Sequence, residues 1–423
     1  MRKANFIIAL LLLASNTAWA QFAASDLPQS TGFIPERLDR IDDTINAEIS
    51  DGKIPGAVAL VVKNGKIAYF KSFGVADIEA QTPMQKDHIF RIASMTKAVT
   101  AVAAMTLYER GLFQLNDPVS KYIPEYANMR VVSEVDSNGN VSATVAATTP
   151  IKIIDLFSHS SGISYPFLSS SVQKSYADAG VISGLTSRDI SLASQMKLLA
   201  TQPLLFEPGS GYEYSLGLDL LGYLIEVLSG KTLEQFFIEE IFTPLGMQDS
   251  YFYLPKSKHD RLVTLYAEVE KEGLIVSEGN ESSLTFDNPL YPTGDVQAYF
   301  SGGAGLSSTA YDYARFIQML LNNGELDGKR ILSRKSVELM QSARIDSDGD
   351  QIPDFGLSFA IIGDLGKTGE LGSIGNYSWL GAFHTSYWID PSENLTGIFL
   401  TQVRPTTTDI RTQIKTMVYQ ALE

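Results

Sequence analysis

The sequence predicts an α+β fold, an antiparallel sheet flanked by helices with a helical subdomain inserted between its N- and C-terminal sheet segments. Strand-like runs lie toward the two ends of the chain, at about 34–93 and 301–423, and helix and loop patterns fill about 94–300. A hairpin is written into the first of these regions. Asn64-Gly65 separates Ala57–Val62 from Lys66–Phe70, and both positions of such a turn require positive φ.

Taken in order, residues 1–20 read as a secretory signal peptide. Arg2 and Lys3 precede an apolar run from Phe6 to Ala14, and Ala18-Trp19-Ala20 offers a cleavage site before Gln21. The run is well short of the ~20 residues that a spanning helix needs. The expected product is exported, periplasmic or secreted, with no stable membrane insertion, and residues 21–423 form one mature domain. Residues 21–33 are small and polar and suggest a loose leader. Ile34–Ile49 is amphipathic, with Leu38, Ile41, Ile45 and Ile49 at helical spacing. Ser94–Arg110 is a helix stopped by Gly111. Leu218–Leu228 and Leu233–Ile241 are helices separated by Ser229-Gly230, and the region from about 112 to 300 is otherwise mostly helix and loop. Leu357–Ile362, Thr385–Ile389 and Gly397–Gln402 are strands, Asp390-Pro391 turns between the last two, and Thr408–Leu422 closes the chain as a helix.

Composition excludes several functions. A formal net charge of −15 over 423 residues repels nucleic acid and anionic lipid. With no cysteine, disulfides and thiolate metal sites are impossible. The four histidines, His88, His159, His259 and His384, form no H-E-x-x-H motif. No cofactor is expected. One stretch could hold a structural Ca²⁺: Asp346, Asp348, Asp350 and Asp354 place carboxylates at alternate positions. It lacks a glutamate at the twelfth position, so it also reads as a solvated acidic loop.

Chemistry concentrates at Ser94-Met95-Thr96-Lys97. Three residues apart at a helix start, the serine hydroxyl and the lysine amine share one face. A serine hydroxyl needs a neighbouring base to act as a nucleophile, and a desolvated lysine can supply one. The helix N-terminus offers N–H groups to a developing oxyanion. The bare tetrapeptide equally describes a capping serine beside a surface lysine. The G-x-S-x-G elbow of α/β-hydrolases is absent.

Further segments bear on the choice. Glu207-Pro208-Gly209 precedes Tyr212-Glu213-Tyr214-Ser215-Leu216-Gly217, and Phe300-Ser301-Gly302-Gly303-Ala304-Gly305-Leu306 precedes Ser307-Ser308-Thr309-Ala310. Asp155-Leu156-Phe157-Ser158-His159-Ser160-Ser161-Gly162 and Leu320-Leu321-Asn322-Asn323-Gly324 complete the set. With Ser94-x-x-Lys97 and in this order, they resemble the serine β-lactamase-like superfamily, in particular its class C branch and the family VIII carboxylesterases. The resemblance runs from about Ile34 to the C-terminus.

The resemblance implies a β-lactamase/penicillin-binding-protein-like fold. It implies Ser94 as acyl acceptor, Lys97 as its activator and Tyr214 as a second proton-transfer group. The family's Y-x-N motif falls on Tyr214-Ser215-Leu216, so leucine stands where the family has asparagine. Its K-T-G, H-x-G or W-x-G strand falls on Trp379-Leu380-Gly381, with His384-Thr385 as the competing register. A backbone N–H near Gly381 is then the second oxyanion donor. Trp379, Gly381, Leu216 and Tyr212 are the expected substrate-binding residues, and Tyr165, Phe167 and Phe383 either add apolar wall or are plain core. An aromatic residue in place of lysine, and Leu216 in place of asparagine, make the pocket less suited to an anionic amide. The expected activity is hydrolysis of small carboxylic esters through an acyl-enzyme. A β-lactamase, a D-Ala-D-Ala or D-amino-acid peptidase acting on cell-wall-type peptides, and a non-catalytic penicillin-binding sensor are the rivals.

Overall fold

Asn64 and Gly65 take positive φ, 54° and 72°, and the chain reverses there between two antiparallel strands. We name these β1 (Gly56–Lys63) and β2 (Lys66–Asp77). All eight residues of β1 are buried. Its side chains alternate between two cores: Val58, Leu60 and Val62 enter one, Ala57, Ala59 and Val61 the other. A strand buried on both faces belongs in the middle of a sheet, and the partner that completes it comes from the far end of the chain.

The computed structural model describes residues 23–24, 31–186, 188–277, 291–350 and 354–423. The expected signal peptide, residues 1–20, lies outside them. Toward the C-terminus run β3 (Tyr377–Gly381), β4 (Thr385–Asp390) and β5 (Leu395–Leu400). β5 pairs antiparallel with β1, Leu400 opposite Val58, and the order continues β5–β4–β3. The sheet thus joins both ends of the chain, as expected. One face is covered by α1 (Arg40–Ser50) and the closing helix α5 (Ile410–Tyr419), which share a core with Phe399 and Trp388. The other face carries α4 (Ala310–Leu321), and the larger core beyond it holds α2 (Thr96–Glu109) packed on α3 (Gly217–Ser229). Among the described residues no helix is long and apolar enough to cross a membrane.

Several expectations change in detail. The region expected to be helical contains two antiparallel hairpins, Arg130–Val135 with Val141–Ala146 and Tyr266–Val269 with Gly273–Val276. In the first, Asp136 accepts the Asn138 and Asn140 N–H groups at 2.9 Å and fixes the turn. The strand expected at Leu357–Ile362 shrinks to Ala360–Ile361, because Ser358 takes φ 73° and interrupts the extended backbone. The expected loose leader is tied at two points: Ala23–Ala24 pairs parallel with Lys66–Ile67, and Phe33 is fully buried opposite Leu422. The first helix breaks at Asp39 into Pro35–Leu38 and α1.

The terminal helices seal one whole face of the sheet, so α5 should carry stability. Ile414 is 1% exposed in that core. Ile414→Ala is expected to destabilise the protein by about 2–5 kcal/mol, read as a lower midpoint in urea unfolding. An unchanged midpoint would show that α5 contributes little.

Candidate active site

Ser94 lies in a tight turn, Ala93–Met95, that runs directly into α2. The residue before it, Ala93, is held at φ 42°, a conformation that costs an alanine energy and that folds keep where geometry matters. One helical turn on, Lys97 is 1% exposed. Its ammonium donates to Gly303 O at 2.8 Å, to the Tyr165 hydroxyl at 3.1 Å and to Ser94 Oγ at 3.4 Å. From the other side the Tyr214 hydroxyl donates to Ser94 Oγ at 2.5 Å. The Lys97 ammonium also stands 4.5 Å from the centre of the Tyr214 ring. Ser94, Lys97 and Tyr214 are therefore one constellation.

The glycine-rich segment reaches Lys97 by passing between two helices. A Cβ on Gly303 would lie 2.3 Å from Asp219 Oδ2, so no larger residue could bring that carbonyl to the ammonium. Asp219 is fully buried on α3 and accepts Ser301 Oγ at 2.6 Å. Burial raises its carboxyl above the usual range, while the Ser301 bond and the charge of Lys97 draw it back.

Tyr214 is positioned by His159. The carbonyl of His159 accepts the Glu213 N–H at 2.9 Å, and its Nδ1 accepts the Ser215 N–H at 3.2 Å. The ring itself lies 4.8 Å from that of Tyr214. Accepting at Nδ1 makes Nε2 the protonated nitrogen. Burial, with the charge of Lys97 added, holds this imidazole well below its usual range, so it is neutral. The loop bearing His159 is fastened in turn, since Asp155 accepts both Ser160 Oγ and the Arg344 guanidinium.

The pocket over Ser94 encloses about 340 Å³. Phe167, Tyr214, Trp379 and Leu380 form its apolar wall. Trp379 lies on β3, 5.8 Å from the Tyr214 ring. Gly381 ends that strand against the nucleophile turn, where a Cβ would lie 2.5 Å from Ile92 O. Trp379-Leu380-Gly381 is thus the strand segment beside Ser94, and His384 lines the same pocket from the turn that follows. The other expected residues sit elsewhere. Leu216 is fully buried in the core at the start of α3, so its side chain does not line this pocket. Tyr212 packs on Phe355 and His159 behind Tyr214, and Phe383 is core. Tyr165 is no passive wall, because its hydroxyl takes a bond from Lys97.

Asp219, the positioning role of His159, and Arg404 and Arg411 in the lining of the pocket were not anticipated. Only the His159 loop had a sequence signal, its place in a recognised segment. In the acidic loop, Asp346, Asp348 and Asp350 can gather one oxygen each within 4.8 Å. Asp354 instead accepts the Ser347 N–H, and Lys367 bridges Asp348 and Asp350 at 2.9 and 2.6 Å. A calcium ion there competes with that ammonium.

Comparison with known proteins agrees with this geometry. The Beta-lactamase family profile matches residues 40–420. The chain belongs to the beta-lactamase family. It is an enzyme of the serine β-lactamase-like hydrolases, and its resemblance to the family VIII esterases holds. The esterase EstB of Burkholderia gladioli is 30% identical over 378 residues, covering 86% of this chain and 89% of that protein. The solved structure of EstCE1, described as a hydrolase with promiscuous acyltransferase activity, superposes with a TM-score of 0.78 at 29% identity, over 91% of this chain and 99% of its own. Simvastatin synthase from Aspergillus terreus shares the fold, with a TM-score of 0.74 at 24% identity over 90% of this chain and 98% of its own.

Because the His159 imidazole holds the Ser215 N–H and packs on the Tyr214 ring, His159→Ala, which keeps the backbone bond to Glu213, is expected to lower kcat by about 10- to 100-fold, the scale of a 1 Å misplacement. KM should change far less. Steady-state kinetics on an activated ester checks this, and an unchanged kcat would show that Tyr214 is held without the imidazole.

Proposed function

We propose that this β-lactamase-family enzyme hydrolyses small carboxylic esters through an acyl-enzyme on Ser94. The observation that carries the reading is the 2.5 Å contact of Tyr214 with Ser94 Oγ beside a buried Lys97, opening on a wall of Trp379, Phe167 and Leu380. The esterase relative EstB supports it.

In this mechanism the reacting form reverses the hydrogen bond between the two oxygens: Tyr214 is a phenolate to which the Ser94 hydroxyl donates, and it takes that proton as Oγ attacks the ester carbonyl. The Lys97 ammonium compensates the negative charge on that oxygen pair, which matters because the site is shielded from water. The backbone N–H groups of Ser94 and of Ala382, which lines the pocket beyond β3, are the proposed oxyanion donors. The Tyr214 proton then passes to the departing alkoxide. A water follows the reverse route: Tyr214 takes its proton, the hydroxide attacks the acyl carbon, and Ser94 leaves with the proton restored. An activated alkoxide departs with less assistance than an amide nitrogen, and short apolar acyl chains gain contact with the Trp379 wall. The signal-like residues 1–20 motivate a second proposal, that the enzyme is exported.

Ser94→Ala should abolish turnover of p-nitrophenyl butyrate while leaving the fold intact. Lys97→Ala and Tyr214→Phe should each cost roughly 10²- to 10⁴-fold in kcat/KM, and non-additively, since the three groups act as one unit. A fluorophosphonate should modify Ser94 alone, as read by peptide mass spectrometry. Full activity in Ser94→Ala, or an adduct elsewhere, refutes the nucleophile. A chromogenic cephalosporin turned over faster than every short ester would replace the ester reading with the β-lactamase one.

A further inference from the structure

We propose that Asp219 is a positioning residue for catalysis: through Ser301 it fixes the turn that aims Gly303 O at Lys97, and its negative charge balances the ammonium held there. The proposal rests on the reading of Ser94 as the acyl-bearing nucleophile.

Asp219 stands in the first turn of α3, five residues after Tyr214, and is fully buried. The glycine-rich segment is wedged between this helix and α2. A Cβ on Gly302 would lie 2.4 Å from Leu218 O, and one on Gly303 2.3 Å from Asp219 Oδ2. On the opposite side both carbonyls are taken up by α2. Gly302 O accepts the Thr100 hydroxyl at 2.6 Å, and Gly303 O accepts the Lys97 ammonium at 2.8 Å. The bend between Ser301 and Ala304 turns these carbonyls toward α2. Ser301 Oγ accepts the Ala304 N–H at 3.0 Å and donates its own proton to Asp219 Oδ1 at 2.6 Å. Ser301 O also accepts the Gly305 N–H at 2.9 Å. The bend is therefore pinned to α3 by one carboxylate oxygen and to α2 by two carbonyls.

A neutral amide could accept that one proton, so the anchor alone does not call for an acid. The other oxygen, Oδ2, is buried without a hydrogen-bond partner, and a charge so placed costs the fold stability. The titratable groups facing it show what the charge does. They are Lys97 from α2, Tyr165 from the loop after His159, and Tyr299 and Tyr291 from the stretch before the glycine-rich segment. Burial pushes these three phenols well up, so they are neutral. Lys97 is left as the charged partner, and its pull helps offset the burial of Asp219. The two opposite charges stand on either side of Gly303. A titratable group kept at such a cost beside a nucleophile marks function rather than packing.

The test separates the charge from the anchor. Asp219→Asn keeps an oxygen for Ser301 and removes the charge. An anion favours the protonated forms of its neighbours, so its loss should move both limbs of the kcat/KM pH profile toward acid, by roughly one pH unit. Those limbs belong to the Ser94–Lys97–Tyr214 unit rather than to one residue. Ser301→Ala keeps the charge and removes the anchor. Its kcat should fall by roughly 10- to 100-fold while KM changes little and the limbs stay in place. Both variants are read with p-nitrophenyl butyrate and, independently, by the rate at which a fluorophosphonate modifies Ser94. An Asp219→Asn profile that coincides with the wild type overturns the proposal, whatever the rate. So does a wild-type kcat in Ser301→Ala, the variant that decides if Asp219→Asn does not fold. If no ester is turned over but Ser94 is labelled, the ester reading fails alone, and the labelling rates decide the proposal by the same criteria. A label elsewhere than on Ser94 overturns the nucleophile and this proposal with it.

Discussion

The ammonium of Lys97 has been taken out of water, and the fold must supply what water gave it. A buried charge without partners costs several kcal/mol, so three acceptors converge on it: Gly303 O, the Tyr165 hydroxyl and Ser94 Oγ. Each comes from a different stretch of chain. Gly303 must thread past Asp219, Tyr165 must enter from the loop after His159, and Ser94 must sit one turn before the lysine itself. The surrounding electrostatics follow from the same charge. It helps keep His159 neutral, and it partly restores the acidity that burial takes from Asp219.

The sheet meets this cluster at one edge. β1 is buried on both faces and pairs with strands from opposite ends of the sequence, so neither end can form the core without the other. That pairing fixes β4 and β3 in turn, and β3 ends at Gly381 against Ile92, two residues before Ser94. With no side chain at Gly381, the strand can approach the nucleophile turn closely, and Trp379 is then carried over Tyr214. The pocket's width is thus set by backbone contact, and its character by the side chains of β3 and of the turn after it.

The sequence revealed what is local or repeated in a pattern. Ser94 and Lys97 are three residues apart, so their contact is a property of one turn, and the Asn64-Gly65 hairpin is likewise contained in its own residues. The helical period of α1 read correctly for the same reason. The hairpin closed near Asn138-Gly139 carried a similar turn signal, and Val141-Ser142-Ala143-Thr144-Val145 alternates, but its strands are largely exposed and lie inside a region read as helix and loop. Tyr214 and Trp379 came from resemblance, which supplies order along the chain but not orientation. That is why Leu216, two residues after Tyr214, was expected in the pocket while helix geometry turns it into the core. Tyr165, Asp219 and Arg411 owe their roles to contacts across the fold. Nothing in their neighbouring residues distinguishes them from ordinary core or surface positions.

Net charge describes approach, and the pocket describes what stays. At physiological ionic strength, charges separated by more than about 8 Å of solvent are largely screened from one another. The acidic surface therefore slows the encounter with an anion without deciding whether it binds. Inside a partly buried cavity the screening is weak and the nearest groups dominate. There the charged side chains are the cations Lys97, Arg404 and Arg411, with a neutral His384 among apolar walls. The charged side chains around the pocket are thus cationic although the protein is strongly negative. Positive charge at that point favours the alkoxide of Ser94 and the oxyanion that follows in the proposed mechanism, so the lysine whose burial organises the fold also serves that chemistry.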